Sequence, residues 1–372
     1  MKKKRIIFLH PYSVFGGADL SISKLINSVP ADYDIEFITL SKKPKIRFYT
    51  KRKFKLFKLN YGKTIYSIFK IRKLIKKNLS NYEKNIILSN QNFANIITLI
   101  SSIFISQLKV VLFERNHISE LDIKKNFCET IKNNIIKNFI KFFYRYADLI
   151  IGNSKELCSD LEMLCKTNVK LLYNFYNFKE MTKNSNKKIK NNLKFKNNII
   201  LNVGRLEEQK NQIFLLKVFK HFIKKNKKYK LVIIGMGTKS ADIYLYIKNN
   251  NLENCTQVIE GVKNALPYYK KSELYISTSL YEGFPNVIIE SIAMGIPVIS
   301  TNYKSGIKEL LLDGKGGTIF NNLNLKNFAK KISTVLDNKT EMKKKALLAK
   351  KNLTKFDYQS GKRIFCRLLE NL

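Results

Sequence analysis

The chain has 372 residues, 45% of them apolar, which suffices for two domains with separate cores and excludes a disordered polymer. Its 69 Lys and Arg against 28 Asp and Glu give a formal charge of +41, pointing to an anionic partner: phosphates, an acidic membrane surface or nucleic acid. Part of that charge is discounted as coding bias, since Asn, Ile and Phe crowd the chain and Trp is absent. Five scattered cysteines without a CxxC pair, and only three histidines, argue against a disulfide framework or a zinc site and fit a reducing cytosol.

The N-terminal "MKKKRIIFLHPYS" has too short an apolar run for a signal peptide and reads as a first strand. A helix near 18–28 follows, then the strands "DIEFITL", "KNIILS", "KVVLFE" and "ADLIIGNS", with helical stretches between them. Such alternation predicts a parallel α/β sheet. Residues 85–108 are uncharged and long enough to span a bilayer, but "SNQN" interrupts them. A strand, a polar loop and a buried helix are the preferred reading.

The alternation breaks at the polar, basic stretch Lys183–Asn198 and resumes with "NIILNVG", "YKLVIIGMG", "CTQVIEG", "ELYISTS", "IPVIS" and "GGTIF". The predicted fold class is therefore α/β, with two doubly wound parallel-sheet domains. The boundaries are placed at 1–182 and 183–355, and "FDYQSGKRIFCRLLENL" supplies a final helix within 356–372.

Three segments carry candidate chemistry. In "SLYEGFPNVIIESIAMGIPVIS", Glu282 falls in a loop at a strand's carboxyl end, where open α/β sheets bind ligands. Pro285 suits a first helical turn, and Gly295 with Pro297 ends the helix. Glu290 lies two turns into that apolar helix. A carboxylate there needs hydrogen-bond donors; sugar hydroxyls and the protein's own amides serve equally well. In "LNVGRLEEQKNQ", Arg205 and Lys210 project from another carboxyl-end loop and suit a diphosphate. Taken alone, a solvated loop with Glu207 and Glu208 as surface partners accounts better for them. In "PYSVFGGADL", Gly16 and Gly17 offer bare backbone between a strand and a helix. Gly235 and Gly237 lack the third glycine and the acidic residue of a dinucleotide fingerprint, so no dehydrogenase is read.

Together these segments resemble retaining nucleotide-sugar glycosyltransferases of family 4, of the GT-B fold. "NVGRLEEQKN" and "YEGFPNVIIESIAMGIPVIST", with the E-x7-E pair Glu282/Glu290, are similar to that family's most characteristic segments. "GGAD" resembles its Gly-Gly-Ala-Glu with Asp19 in place of Glu. "ADLIIGNSKEL" and "LYNFYNF" match the end of its first domain, although Phe175 departs from the usual Asn-Gly.

The resemblance implies two Rossmann-like domains facing a cleft, an acceptor-side one and a donor-side one, with the C-terminal helix packing back on the first. It implies that Arg205 and Lys210 neutralise the donor diphosphate without a metal or cofactor. Glu290 would hold the ribose and Glu282 the transferred sugar. Gly283, Phe284, Pro285, Asn286 and Val287 would cradle sugar and phosphate, Gly16 and Gly17 would close over the diphosphate, Val262 would meet the base, and His117 would lie near the sugar. "DYD" at Asp32–Asp34 imitates a metal motif and is read as chance.

Residues 41–80 hold fifteen Lys or Arg and no acid, interleaved with Phe48, Tyr49, Phe54, Phe57, Tyr61, Tyr66 and Phe69, and "KNNIIKNFIKFFYRY" is a basic amphipathic helix. Such surfaces adsorb to anionic lipid; a solvated Lys face over a core helix explains them nearly as well. With the resemblance, the expected partners are a UDP-sugar donor, expected to be UDP-N-acetylhexosamine, and a lipid-linked acceptor. That acceptor is a polyprenyl-diphosphate-linked, lipooligosaccharide or capsule glycan at the anionic inner leaflet. The expected location is cytoplasmic, peripheral to the inner membrane. The alternatives are a GT-B epimerase or phosphorylase, opposed by the E-x7-E and Arg/Lys combination, and a basic nucleic-acid-binding protein, opposed by the lack of a recognisable module.

Overall fold

In a computed structural model the structure describes residues 3–11, 17–42, 44, 46, 50–59, 64–122, 127–189, 193–321 and 323–372. The chain divides into two compact units, residues 1–175 with 358–372 and residues 176–357.

The first unit is built on a seven-stranded parallel sheet. In chain order its strands are β1 (Lys4–Leu9), β2 (Tyr33–Thr39), β3 (Lys55–Lys58), β4 (Lys84–Asn90), β5 (Leu108–Glu114), β6 (Leu149–Gly152) and β7 (Val169–Leu171). They pair in the order β3-β2-β1-β4-β5-β6-β7. The central strands are apolar nearly throughout, as strands covered on both faces must be. One face packs Ile7, Ile87 and Leu112 against Ile71, Ile97 and Ile140 from helices, and the other packs Phe8, Phe37 and Leu88 with Ile22 and Phe365. Phe365 comes from the C-terminal helix Tyr358–Glu370, which belongs to this unit.

The second unit carries β8 (Ile199–Val203), β9 (Lys230–Ile234), β10 (Thr256–Ile259), β11 (Ser272–Ser277), β12 (Val298–Thr301) and β13 (Thr318–Phe320). They form a six-stranded parallel sheet in the order β10-β9-β8-β11-β12-β13. The order reverses between β8 and β11, both central, so their carboxyl-end loops lie side by side at a topological switch point.

All six strands expected in the second unit form, as do all five expected in the first, which has seven. The two without a clear sequence signal are the edge strands β3 and β7. β3 reads Lys-Leu-Phe-Lys and has only half-buried or exposed residues, as edge strands that resist further pairing do. The uncharged stretch 85–108 is strand β4 and the helix Asn92–Ser102, followed by a turn into β5. Among the described residues no helix is long and apolar enough to cross a membrane.

The division between units differs in position from the expected 182/183 and 355/356. It falls at 175/176 and 357/358, because the Tyr176 amide donates to the Phe356 carbonyl at 2.8 Å and Tyr176 bridges to Asp357. The polar stretch beyond Lys183 is thus inside the second unit, where Phe195 is buried and the Lys194 amide donates to Gln257 at 2.9 Å.

Candidate active site

In the second unit the loops after β8 and β11 are braced to each other. The Thr278 hydroxyl donates to the Lys210 and Asn211 carbonyls at 3.1 Å each, and the Leu280 amide to the Gln209 carbonyl at 2.9 Å. The Gln209 amide donates to the Tyr281 carbonyl at 2.9 Å and to Glu282 Oε2 at 3.4 Å, while its Oε1 accepts from Arg205 Nη2 at 3.1 Å. One side chain therefore links the candidate guanidinium to the candidate carboxylate.

Glu282 is buried, and its Oε1 accepts from the Ser279 hydroxyl at 2.7 Å and from the Lys210 ammonium, an ion pair. The Lys210 stem runs over Gly204, where a Cβ would lie 3.3 Å from its Cδ and Cε. Glu207 takes neither cation. It accepts from the Thr238 hydroxyl at 2.7 Å and the Thr238 amide at 3.1 Å, and these bonds, the hydroxyl's foremost, hold its carboxyl below the usual carboxylate range. Arg205 stands exposed at the loop's tip.

The loop's backbone is fixed by close contact with the loop after β9. A Cβ on Gly235 would sit 1.8 Å from the Gly204 carbonyl oxygen, and one on Gly237 would sit 2.2 Å from that of Leu206. These glycines thus serve backbone-to-backbone packing that seats Arg205.

Beyond Glu282, Gly283, Phe284 and Pro285 are buried. The Phe284 ring packs on Phe356, with centroids 5.4 Å apart, and under Gly306, where a Cβ would meet it at 2.5 Å. The helix runs Asn286–Ala293 with Pro285 at its N-cap, one position before the expected first turn. The Asn286 side-chain oxygen Oδ1 accepts from the Tyr176 hydroxyl. Glu290, half-buried, accepts from the Tyr269 hydroxyl at 3.0 Å, and that hydroxyl is 3.3 Å from the Val287 carbonyl. Burial, then the Glu290 charge, pushes the Tyr269 phenol well above its usual range, so it stays a donor. Val262 follows Gly261, whose φ of +69° turns the chain after β10; it is half-buried, offering apolar surface and backbone.

The remaining candidates belong to the first unit. Gly17 opens the helix Gly17–Ser28, and Gly16 lies outside the described residues. So do Phe48, Tyr49 and Tyr61 of the basic stretch. His117 is buried; its Nδ1 accepts from the Ser119 amide at 3.2 Å and its Nε2 lies 3.2 Å from Asp160.

Sequence reasoning missed the residues that hold these groups. Gln209, Ser279 and Tyr269 are ordinary polar residues until folding brings them to a carboxylate. It also missed a buried network at the carboxyl ends of β1, β4, β5 and β7. There Arg115 Nη1 donates to Asn174 Oδ1 at 2.8 Å, Arg115 also bonds Asn90 and Ser21, and His10 Nε2 lies 3.5 Å from Asp19. Arg115 in "FERNHIS" was the one available signal.

An exposed guanidinium, a lysine and two carboxylates with separate holders, grouped where a helix begins, can neutralise a diphosphate and accept from hydroxyls. Among the described residues no three His, Cys, Asp or Glu side chains cluster as a metal-ligand set.

Residues 183–352 match the family described as glycosyl transferases group 1. An uncharacterized glycosyltransferase of Methanocaldococcus jannaschii is 31% identical over 256 residues, 65% of this chain and 61% of the relative. A Campylobacter jejuni enzyme, N-acetylgalactosamine-N,N'-diacetylbacillosaminyl-diphospho-undecaprenol 4-alpha-N-acetylgalactosaminyltransferase, is 31% identical over 247 residues, 66% of this chain and 65% of that one. The chain thus spans under two thirds of either relative's length. Anabaena HepE, solved with UDP and glucose, superposes with a TM-score of 0.77 at 16% identity, over 99% of this chain and 100% of that one. The fold is GT-B.

Proposed function

We propose that the chain is a retaining, metal-independent glycosyltransferase of family 4 that moves an N-acetylhexosamine from a UDP-sugar to a polyprenyl-diphosphate-linked glycan. The observation that carries this reading is the bracing of the β8 and β11 loops, which sets Arg205 and Lys210 beside Glu282. The C1–O bond to the diphosphate breaks, its electron pair stays on the diphosphate, and Arg205 and Lys210 neutralise that charge. The acceptor oxygen bonds C1 on the same face and passes its proton to the departing phosphate oxygen. Glu282 takes the sugar's hydroxyls and Glu290 the ribose.

The similarity to a transferase named for a diphospho-undecaprenol substrate supports the lipid-linked acceptor and the sugar class. The likeness to a fold solved with UDP and glucose supports the donor nucleotide. Such an acceptor places the chain at the anionic inner face of a membrane.

Incubation with a panel of UDP-sugars, read as UDP release with and without acceptor lipid, tests the proposal. Arg205→Ala should lower turnover by roughly 10²–10³, and EDTA should leave turnover intact. Loss of turnover in EDTA with rescue by Mn²⁺ removes the metal-free mechanism. Conversion of a UDP-sugar to its epimer without transfer removes the transferase.

A further inference from the structure

The helices Ile68–Lys76, Asn92–Ser102 and Phe127–Phe143 cover one face of the first unit's sheet. Their inward residues, among them Ile71, Ile75, Ile97, Ile136 and Ile140, fill one core cluster. Several outward residues of these helices and of the turns beside them are also apolar. Phe69 is 82% exposed, Phe104 96% and Tyr66 63%, and with Ile103 they border a groove of about 590 Å³ that the half-buried Ile68 and Ile100 also line. Soluble surfaces carry single exposed aromatics, but a grouped set with a groove marks an interaction site.

Phe104 has a second unusual property. Its φ is +56°, a left-handed backbone that a bulky side chain adopts only where its surroundings impose it. Here Arg72 imposes it in part, since Nη1 donates to the Ser101 and Ile103 carbonyls at 3.1 and 2.5 Å. The turn is tied down while its aromatic ring points into solvent. On the neighbouring helix Ile131, Ile135 and Phe142 repeat along the exposed side, giving that helix a second apolar face opposite its core face.

The charges select the occupant. The helix Ile68–Lys76 bears Lys70, Arg72, Lys73 and Lys76 and no acid, and Asn92–Ser102 has no charge. Phe127–Phe143 adds Lys132, Lys137 and Lys141 against Glu129, Lys137 being paired with Asp122 at 2.6 Å. A second copy of a chain carrying +41 would meet the same cations and be repelled. The occupant must offer both anions and hydrocarbon, and a bilayer with acidic headgroups offers both. Aromatic rings bordered by Lys and Arg are the composition of a membrane interface.

We propose that the outer surface of this helix layer docks on an anionic bilayer, with Phe69 and Phe104 inserted below the headgroups and the helix cations on the phosphates. The inference rests on the membrane partner of the function proposed above and names the surface that meets it. Its test needs no turnover, so the two can fail separately.

The full chain is sedimented with vesicles of phosphatidylcholine alone and of an equal mixture with phosphatidylglycerol, and UDP affinity is measured alongside. The chain should bind the mixed vesicles and not the neutral ones. Phe69→Ser/Phe104→Ser should weaken that binding by about tenfold or more with UDP affinity unchanged, since both rings are exposed. Lys70→Glu/Lys73→Glu should weaken it as well. Equal vesicle binding by the Phe variant, or no vesicle binding by the natural chain, overturns the proposal. So does a dimer, or retention of a single-stranded RNA, that only the Phe variant loses.

Discussion

The Lys210 ammonium is ion-paired to the Glu282 carboxylate, joining two side chains to which the sequence assigned separate tasks, diphosphate and sugar. Their side chains are 15% and 9% exposed, so removing either leaves the other charge in a largely buried place. Lys210→Ala and Glu282→Gln should each lower turnover by roughly 10²–10³. The double variant should fall short of the product of the two losses by about tenfold or more. A double-mutant cycle on donor hydrolysis measures this; losses that multiply would mean the two act independently.

Glu290 accepts a hydrogen bond from the buried Tyr269 hydroxyl at 3.0 Å, a contact that serves a structural carboxylate and a ribose ligand alike, so the two roles separate by titration. Glu290→Gln should weaken UDP and UDP-sugar alike, raising KM with kcat little changed. Tyr269→Phe removes one hydrogen bond to the carboxylate and should weaken UDP by about 3–10-fold. Glu282→Gln should spare UDP binding and lower kcat, because its contribution grows in the transition state. Calorimetric titration of UDP compares the three. Unchanged UDP affinity in Glu290→Gln returns Glu290 to a structural role.

Gly235 and Gly261 should respond to the same substitution in the same direction but to very different degrees. A methyl on Gly235 meets the Gly204 carbonyl oxygen at 1.8 Å, and backbone cannot step aside as a side chain does. Gly235→Ala should destabilise by about 3 kcal/mol or more and displace Arg205, with turnover lost at permissive temperature. Gly261 has φ +69° but open space around its Cβ position, so Gly261→Ala should lose only about 1 kcal/mol. Thermal unfolding of both variants decides it, and equal shifts would contradict the packing role.

The strands and the loops after β8 and β11 were legible because each is local: an apolar run, then a Gly or Pro, then a periodic helix. Glu282 and Glu290 stood out as carboxylates in apolar surroundings, whereas Arg205 and Lys210 read alone as a solvated loop and gained a role only through the family resemblance. What was not legible is what depends on chain crossings. Gln209 meets Glu282 across 73 positions and Tyr269 meets Glu290 across 21. Arg5 is another such case: buried in β1, it pairs with Glu36 at 2.6 Å and donates to the Leu74 and Ile75 carbonyls at 2.9 Å each. No spacing in the sequence announces these pairs.

Glu114, at the end of β5, should make the first unit sensitive to pH. It is 3% exposed, and its Oε1 accepts from Asn95 Nδ2 at 3.1 Å. Burial first, then the Glu120 charge, raises its carboxyl well above the usual range. The folded chain therefore holds a proton that the unfolded chain releases at lower pH. Stability linked to this group is fully present below the unfolded carboxyl's range and is lost as pH rises through the raised value. Glu114→Gln is neutral at every pH and keeps the oxygen that accepts from Asn95. Its unfolding midpoint should exceed that of the natural chain by a few degrees at about pH 8 and converge with it near about pH 5. Thermal scans across that range read the difference, and parallel pH profiles for the two chains would show that Glu114 does not carry the linkage.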